Sequence, residues 1–168
     1  FKGERFKIMQ IADTQEGAKV SPDTLNLINT AIDKEKPDLI VYSGDQIWGK
    51  MSFKGNAEKV ERVLRELTYP AVSRKIPFAV CFGNHDRQVG LSNKEQFEIY
   101  KKIDCFIGED TPGIDGCANQ VIEIEDNGET KFLLYLIDSH SSLQVGYDHV
   151  HKNQIEWYKS VRDAYEKK

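Results

Sequence analysis

The sequence predicts an α/β fold built on a largely parallel sheet. Segments with strand patterns alternate with segments with helical patterns, and no internal repeat or low-complexity segment interrupts them. Three short apolar runs lead directly into polar side chains that can bind a metal. Ligands of α/β folds bind beyond the carboxyl ends of the strands. We therefore expect the functional site where these three runs end.

The length and composition are those of one ordinary globular domain. The 168 residues include 39% hydrophobic and 30% charged residues, enough for a sizeable core. The net charge of −4, without a basic stripe, makes nucleic acid an unlikely class of partner. No apolar run approaches the roughly 18 residues that a membrane span needs. Three cysteines without a CxxC pair slightly favour the cytoplasm, although a chain starting at Phe1 leaves export after signal removal open.

The first half of the chain alternates strands and helices with clear punctuation. Ser21 and Pro22 form a helix start with an N-cap and a first-turn proline, and Pro37 ends that helix. A polar loop follows over residues 46–55. The last strand of this half is apolar throughout rather than alternating, which is typical of a fully buried strand. The predicted elements are strands at Phe6–Ala12, Asp38–Tyr42 and Phe78–Phe82 and helices at Pro22–Glu35 and Val60–Ala71.

The second half predicts a short helix, a long loop, a hairpin and a final helix. Residues Asp104–Ala118 are rich in Gly and Asp and are expected to form the loop. Asn127-Gly128 is a strong signal for a tight turn between two antiparallel strands. The predicted elements are helices at Ser92–Ile103 and Asn153–Lys168 and strands at Val121–Ile124 and Lys131–Ile137.

The residues that follow the first three strands are able to bind metal ions together. They are Asp13-Thr14-Gln15, Gly44-Asp45-Gln46 and Gly83-Asn84-His85-Asp86. If the strands are parallel neighbours, these stretches meet at one edge, where two carboxylates repel unless a proton or cation lies between them. Carboxylate and amide oxygens beside an imidazole suit Mn, Fe or Zn better than Mg or Ca. Each stretch alone could be a plain turn, but three in this order favour a site.

These stretches resemble the motifs of the calcineurin-like metallophosphoesterase superfamily, D-x-H, G-D and G-N-H-D/E, each of which follows a strand. The flanking stretches MQIAD, KPDLIVYSGDQ, LIDSH and NQIEWY are most similar to the small phosphoesterases of the purple-acid-phosphatase-like branch. The resemblance extends from Lys7 to about Tyr165. It implies a metallophosphatase-type sandwich of mixed sheets flanked by helices in αββα layers. It also implies hydrolysis of phosphate esters, in small molecules or phosphoproteins, with two divalent or trivalent metal ions (Mn, Fe or Zn).

The resemblance also implies which residues hold the metals. Asp13 would ligate the first metal, Asp45 would bridge both metals, and Asn84 would ligate the second through its amide oxygen. Gln15 stands where the family has histidine, so this first position would be held by a weaker amide ligand.

Two further roles are implied by the last motif. His85 would contact the substrate phosphate or the leaving group, and Asp86 would orient the His85 imidazole. Such a carboxylate fixes the tautomer of an imidazole that protonates or stabilises a leaving oxygen.

The family completes its site with a later histidine and a Gly-His-x-His motif, which these 168 residues do not contain. We therefore expect residues 1–168 to be the N-terminal part of one metallophosphoesterase domain, lacking its C-terminal strands and His motifs and exposing apolar surface. His140 is expected to support the site from behind, and His149 and His151 to lie on a surface loop beside it. The alternative function is a truncated or degenerate fragment that binds metal or phosphate without turnover.

Overall fold

The computed structural model describes residues 5–49 and 53–166. Residues 50–52 of the predicted loop and residues 167 and 168 of the predicted last helix lie outside the described residues. The mixed architecture confirms the predicted α/β fold class. The elements are β1 (Ile8–Ile11), α1 (Pro22–Glu35), β2 (Leu39–Tyr42), α2 (Ala57–Ser73), β3 (Phe78–Val80), a 3₁₀ turn (Asp86–Val89), α3 (Asn93–Tyr100), β4 (Gln120–Asp126), β5 (Glu129–Leu136) and α4 (Lys152–Glu166).

The first three strands form one parallel sheet in the order β1-β2-β3. Ile8 pairs with Leu39, and Ile40 pairs with Phe78, and both pairs of neighbouring strands are parallel. All four residues of β2 are buried, as expected for a strand with a neighbour on each side. Because the strands are parallel, their carboxyl ends lie at the same edge of the sheet.

Helices α1, α2 and α3 cover one face of this sheet. Ser21 caps α1 by accepting a hydrogen bond from the N–H of Asp23, as the sequence predicts. Apolar side chains of the three helices share one core with residues of β2 and β3; examples are Ile32, Leu64, Phe97, Tyr42 and Val80. This core fixes the parallel sheet against the helices and holds the strand ends in place.

A second sheet, β4 paired with β5, packs on the opposite face. Its hairpin turns at Asn127 and Gly128, whose positive φ values of 52° and 80° suit the two central residues of a type I′ turn. Leu136 packs with Leu39, Val41 and Ala79 of the parallel sheet. On the outer face of the hairpin, the Tyr135 ring contacts Trp157 and Tyr158 of α4, with centroids 6.1 and 4.8 Å apart. The layers therefore follow the αββα order, which confirms the predicted metallophosphatase-type sandwich.

Two details differ from the sequence prediction or add to it. Helix α3 ends at Tyr100 rather than Ile103, because the chain continues in turns that still bury Ile103. An apolar groove of about 430 Å³ runs beside β1 and α1, and Leu27 on its wall is 70% exposed. That these residues are one part of a larger domain stays a prediction. Among the described residues, no helix is long and apolar enough to cross a membrane.

Candidate metal centre

Three strand-end loops, residues 12–16, 43–47 and 81–86, meet at the carboxyl edge of the parallel sheet. The first two pair through their backbones: the N–H of Asp13 donates to the carbonyl of Gly44 at 3.1 Å, and the N–H of Gln15 donates to that of Asp45 at 2.9 Å. The sequence placed these loops together because it predicted parallel neighbouring strands. The structure brings Asp13, Gln15 and Asp45 into adjacent positions on two hydrogen-bonded loops.

The backbones of three of the four predicted ligand residues are held in an uncommon conformation. Asp13, Gln15 and Asp45 have φ values of 55°, 47° and 55°. A residue with a side chain in this left-handed region carries about 1–3 kcal/mol of strain, and such residues concentrate at ligand sites. Three of them on two paired loops indicate that the surrounding hydrogen bonds fix where these side chains project.

Asp45 joins the second loop to the third. Its side chain is buried, and its Oδ1 accepts a hydrogen bond from the backbone N–H of His85 at 2.7 Å. Gly83 makes this possible, since a Cβ at Gly83 would lie 2.2 Å from Asp45 Oδ1. Gly44, at φ 103°, is equally constrained, because its Cβ would lie 2.5 Å from the Gly83 nitrogen. The two glycines of the motifs therefore let a buried carboxylate stand between two loops.

Asp86 holds the loops together through backbone N–H groups, and that it orients the His85 ring stays a prediction. It is 2% exposed, and its Oδ2 accepts the N–H groups of Gly83 and Asp45, each at 2.8 Å. Its Oδ1 accepts the N–H groups of Gln46 at 2.9 Å and Ile47 at 3.4 Å. Burial raises the pKa of Asp86 above its usual range, these N–H bonds oppose the shift, and the nearby Asp45 carboxylate adds to it. Both oxygens are thus engaged by the backbone.

The His85 ring is half-buried and lacks the expected carboxylate partner. Its Nδ1 is buried and has no hydrogen-bond partner among the described residues. The ring contacts Trp48 edge to face, with centroids 6.1 Å apart. A buried ring nitrogen without a partner is uncommon in a folded protein and calls for a ligand or water. The residue as a whole is half-buried, so part of the ring stays accessible, and the role predicted for His85 stays a prediction.

Sequence reasoning missed the structural importance of Gln46. Its amide is buried, and Nε2 donates to the carbonyls of Gly44 at 2.7 Å and Ile11 at 3.2 Å. Thr14 Oγ1 donates to the Gln46 carbonyl at 2.8 Å. These bonds tie the first loop to the second beneath the ligand residues. The position of Gln46 directly after Gly44-Asp45 was the one available signal.

The later histidines form a separate group. The His140 and His151 rings stack with centroids 4.1 Å apart, and the His151 nitrogens lie 2.8 Å from Asp115 and 3.1 Å from Asp148. The surface position predicted for His149 agrees with its 82% exposed side chain. His151 lies on the same surface segment, with its side chain 33% exposed and paired with two carboxylates.

Comparison with known proteins decides the family. A family model described as calcineurin-like phosphoesterase matches residues 6–166. The chain belongs to this family. As a calcineurin-like phosphoesterase, it is expected to use divalent metal cofactors.

Several curated proteins are similar to this phosphoesterase. Phosphatase DCR2 of Saccharomyces cerevisiae is 29% identical over 188 residues, covering 95% of this chain and 32% of that protein. Probable inactive purple acid phosphatase 14 of Arabidopsis thaliana is 28% identical over 187 residues, covering 92% of this chain and 46% of that protein. Phosphodiesterase YaeI of Escherichia coli is 40% identical over 88 residues, covering 51% of this chain and 29% of that protein. The chain thus spans about a third to a half of the first two relatives.

The donor groups on the strand-end loops fit metal cofactors. The side-chain oxygens of Asp13, Gln15 and Asn84 have no hydrogen-bond partner within residues 5–49 and 53–166, and one Asp45 oxygen is likewise uncommitted. Asp13 and Gln15 are exposed, and Asn84 is half-buried, so these oxygens are accessible. Carboxylate and amide oxygens of this kind are ordinary ligands of divalent cations.

Proposed function

We propose that this protein hydrolyses phosphate esters at a dinuclear metal centre built on the three strand-end loops. The observation that carries the proposal is the position of Asp45, a buried carboxylate fixed between the second and third loops by the His85 N–H. The Asp45 backbone is also paired with the first loop, which carries Asp13 and Gln15, and the third loop carries Asn84, so a carboxylate at this position is suited to bridge two cations. Cations in such a centre polarise the phosphoryl oxygens and activate water.

Each ligand residue has a separate part in this proposal. Asp13 and Gln15 would hold the first cation, Asp45 would bridge the two cations, and Asn84 would hold the second. The carboxylates of Asp13, Asp45 and the buried Asp86 repel one another, and this repulsion favours binding of cations at the strand-end loops. Mn, Fe or Zn suit this donor set with an imidazole beside it. Because Gln15 offers an amide oxygen, we expect the first position to bind its cation more weakly than it would with a histidine there.

His85 acts on the substrate rather than on the metals. Its backbone is fixed by Asp45, and its half-buried ring is steadied by Trp48, so the imidazole is pre-oriented at the edge of the site. The residue is half-buried rather than enclosed, so part of the ring is open to a bound substrate. We infer that the ring stabilises or protonates the leaving oxygen.

The substrates we propose are phosphate esters of small molecules or of phosphoproteins. The net charge of −4 disfavours a nucleic-acid substrate. A second candidate function is binding of metal or phosphate without turnover. It is favoured by the names of several relatives, such as probable inactive purple acid phosphatase 29 of Arabidopsis thaliana.

The test separates metal binding from chemistry, using the protein with its native flanking sequence and added Mn²⁺. Hydrolysis of p-nitrophenyl phosphate and bis(p-nitrophenyl) phosphate distinguishes monoester from diester activity. We expect Asp45→Asn to lower the affinity for both ions, and His85→Ala to keep both ions while lowering kcat by roughly 10²–10⁴. Asp38→Asn is the matched control, because Asp38 lies at the opposite end of the sheet and accepts one N–H, from Lys7.

The outcomes discriminate between the two functions. Two bound ions without hydrolysis of either ester favour the binding function. An unchanged rate in His85→Ala, or loss of metal as its main effect, contradicts the role given to His85.

A further inference from the structure

We propose that His140, Asp148 and His151 form a second, mononuclear site for a divalent transition cation of the Zn²⁺ class, apart from the strand-end loops. Each of the three offers one ligand atom, and these atoms lie within 4.8 Å of one another. His140 follows β5, and the other two precede α4. Within residues 5–49 and 53–166, this is the one such group of three histidine, cysteine or acidic side chains.

Gln154 holds His140 in the form that a metal needs. Gln154 is completely buried, and its Nε2 donates to Asn119 Oδ1 at 2.8 Å and to the Asp138 carbonyl at 2.7 Å. These bonds fix the amide, so its Oε1 faces His140 Nε2 at 2.9 Å and can only accept. His140 therefore carries a proton on Nε2. In the neutral ring, Nδ1 then keeps its lone pair for a cation, the arrangement that is usual for metal-bound histidine.

His151 is oriented by two neighbours of its own. Its backbone N–H donates to the same Gln154 Oε1 at 2.7 Å. Its Nδ1 lies 2.8 Å from Asp115 Oδ2, and its Nε2 lies 3.1 Å from Asp148 Oδ1. Asp115 thus takes the part of the carboxylate that positions a ligating histidine from behind. The other nitrogen is aimed at Asp148, the third member of the group.

The space between His151 Nε2 and Asp148 Oδ1 is suited to a positive charge. A neutral imidazole and a carboxylate would face each other there with lone pairs, so either a proton or a cation must lie between them. The His140 ring stacks on the His151 ring with centroids 4.1 Å apart, and its ligand atom lies within 4.8 Å of those of the other two residues. A divalent cation satisfies all three groups at once, in competition with the proton on His151.

The donor set selects the class of cation. Two imidazoles and one carboxylate suit Zn²⁺ and similar transition metals, whereas Mg²⁺ and Ca²⁺ prefer oxygen ligands. Three protein ligands leave a fourth position for water or another small ligand. His140 and Asp148 line a cleft of about 300 Å³ together with Arg87 and Lys94, so a cation can enter from solvent.

The experiment measures Co²⁺ and Zn²⁺ binding in the Asp45→Asn background, where the proposed strand-end centre is disabled. It uses the protein with its native flanking sequence and needs no enzymatic readout, so its failure is distinct from failure of the proposed function. We expect the background protein to bind one equivalent of Co²⁺ with visible d–d bands. In His140→Gln and in His151→Gln, the Co²⁺ affinity is expected to fall by about tenfold or more. His149→Gln tests the assigned ligand set, because His149 Nδ1 lies 3.4 Å from Asp148 Oδ1 although its ring is 82% exposed and is not one of the three grouped residues; the affinity of this variant is expected to stay within about twofold of the background.

A second variant guards against misfolding of the histidine variants. Asp148→Asn keeps the shape of the side chain and is expected to weaken Co²⁺ binding by about tenfold with an unchanged circular dichroism spectrum. Binding that survives in all three variants, or no Co²⁺ binding in the background protein, overturns the proposal. A loss in His149→Gln as large as in His151→Gln also overturns the assigned ligand set.

Discussion

Asp86→Asn is expected to loosen the strand-end loops, because Asp86 is the residue on which they converge. The carboxylate is 2% exposed and accepts N–H groups from both the second and the third loop. Asparagine has nearly the same shape but replaces one oxygen by an NH₂ group that cannot accept. The substitution therefore tests the hydrogen bonds of this buried group without creating a cavity.

The expected loss in the free energy of unfolding depends on which carboxylate oxygen the amide group replaces. The least costly orientation keeps the amide oxygen toward Gly83 and Asp45, both at 2.8 Å, and turns the NH₂ toward Gln46, now at 2.9 Å from Oδ1. One charge-assisted bond of about 1.5–3 kcal/mol is lost, and a buried N–H loses its acceptor. The contact with Ile47, at 3.4 Å, is too long to add much. A neutral amide costs less to bury than a carboxylate, which offsets part of this loss. We therefore expect the free energy of unfolding to fall by about 2–4 kcal/mol in total.

Urea unfolding followed by circular dichroism measures this loss, with Asp38→Asn as the control. The control loses at most one partly exposed bond and is expected to change the free energy of unfolding by less than about 1 kcal/mol. An Asp86→Asn protein within about 0.5 kcal/mol of wild type would refute the reasoning. Normal stability with a much lower kcat would instead support the predicted pairing of Asp86 with the His85 ring.

Two further predictions concern glycine and helix capping. Gly83→Ala is expected to displace the Asp45 carboxylate, since the new Cβ would lie 2.2 Å from Oδ1; isothermal titration with Mn²⁺ should show about tenfold weaker binding or worse, and unchanged affinity would contradict the packing argument. Ser92→Ala removes the N-cap of α3 and is expected to cost about 1 kcal/mol in urea unfolding. The hydrogen bond from the Ser92 side chain holds the pKa of Glu95 below its ordinary 4.5. In wild type, the stability that the Glu95 carboxylate contributes is therefore complete above pH 4.5, and it is lost as the pH falls through the lowered pKa of the folded state. A Ser92→Ala protein with the same acid dependence as wild type would contradict that linkage.

The parallel sheet and the position of the strand-end loops were predictable from the sequence. Apolar runs such as Phe78–Phe82, ended by glycine, carry local signals for buried strands, and parallel strands bring their carboxyl ends together whatever the details of packing. The Asn127-Gly128 turn was equally local, because its conformation depends on residues that tolerate positive φ. These features need no knowledge of distant contacts.

The side-chain partners were harder to predict because they depend on contacts distant in sequence. Asp86 follows His85 directly, yet the 3₁₀ turn that starts there directs its carboxylate to amides 40 and 41 residues earlier. His151 finds Asp115, which is 36 residues away, and shares the buried amide of Gln154 with His140. No spacing rule along the chain indicates such pairings.

The most direct test of the dinuclear centre is anomalous X-ray diffraction at the Mn absorption edge from crystals of the protein, with its native flanking sequence, grown with Mn²⁺. The proposal predicts two anomalous peaks among the strand-end loops, with the Asp45 carboxylate in contact with both. Asp13 should lie beside one peak and Asn84 beside the other. A single peak, two peaks of which Asp45 contacts at most one, or no peak at these loops would contradict the account.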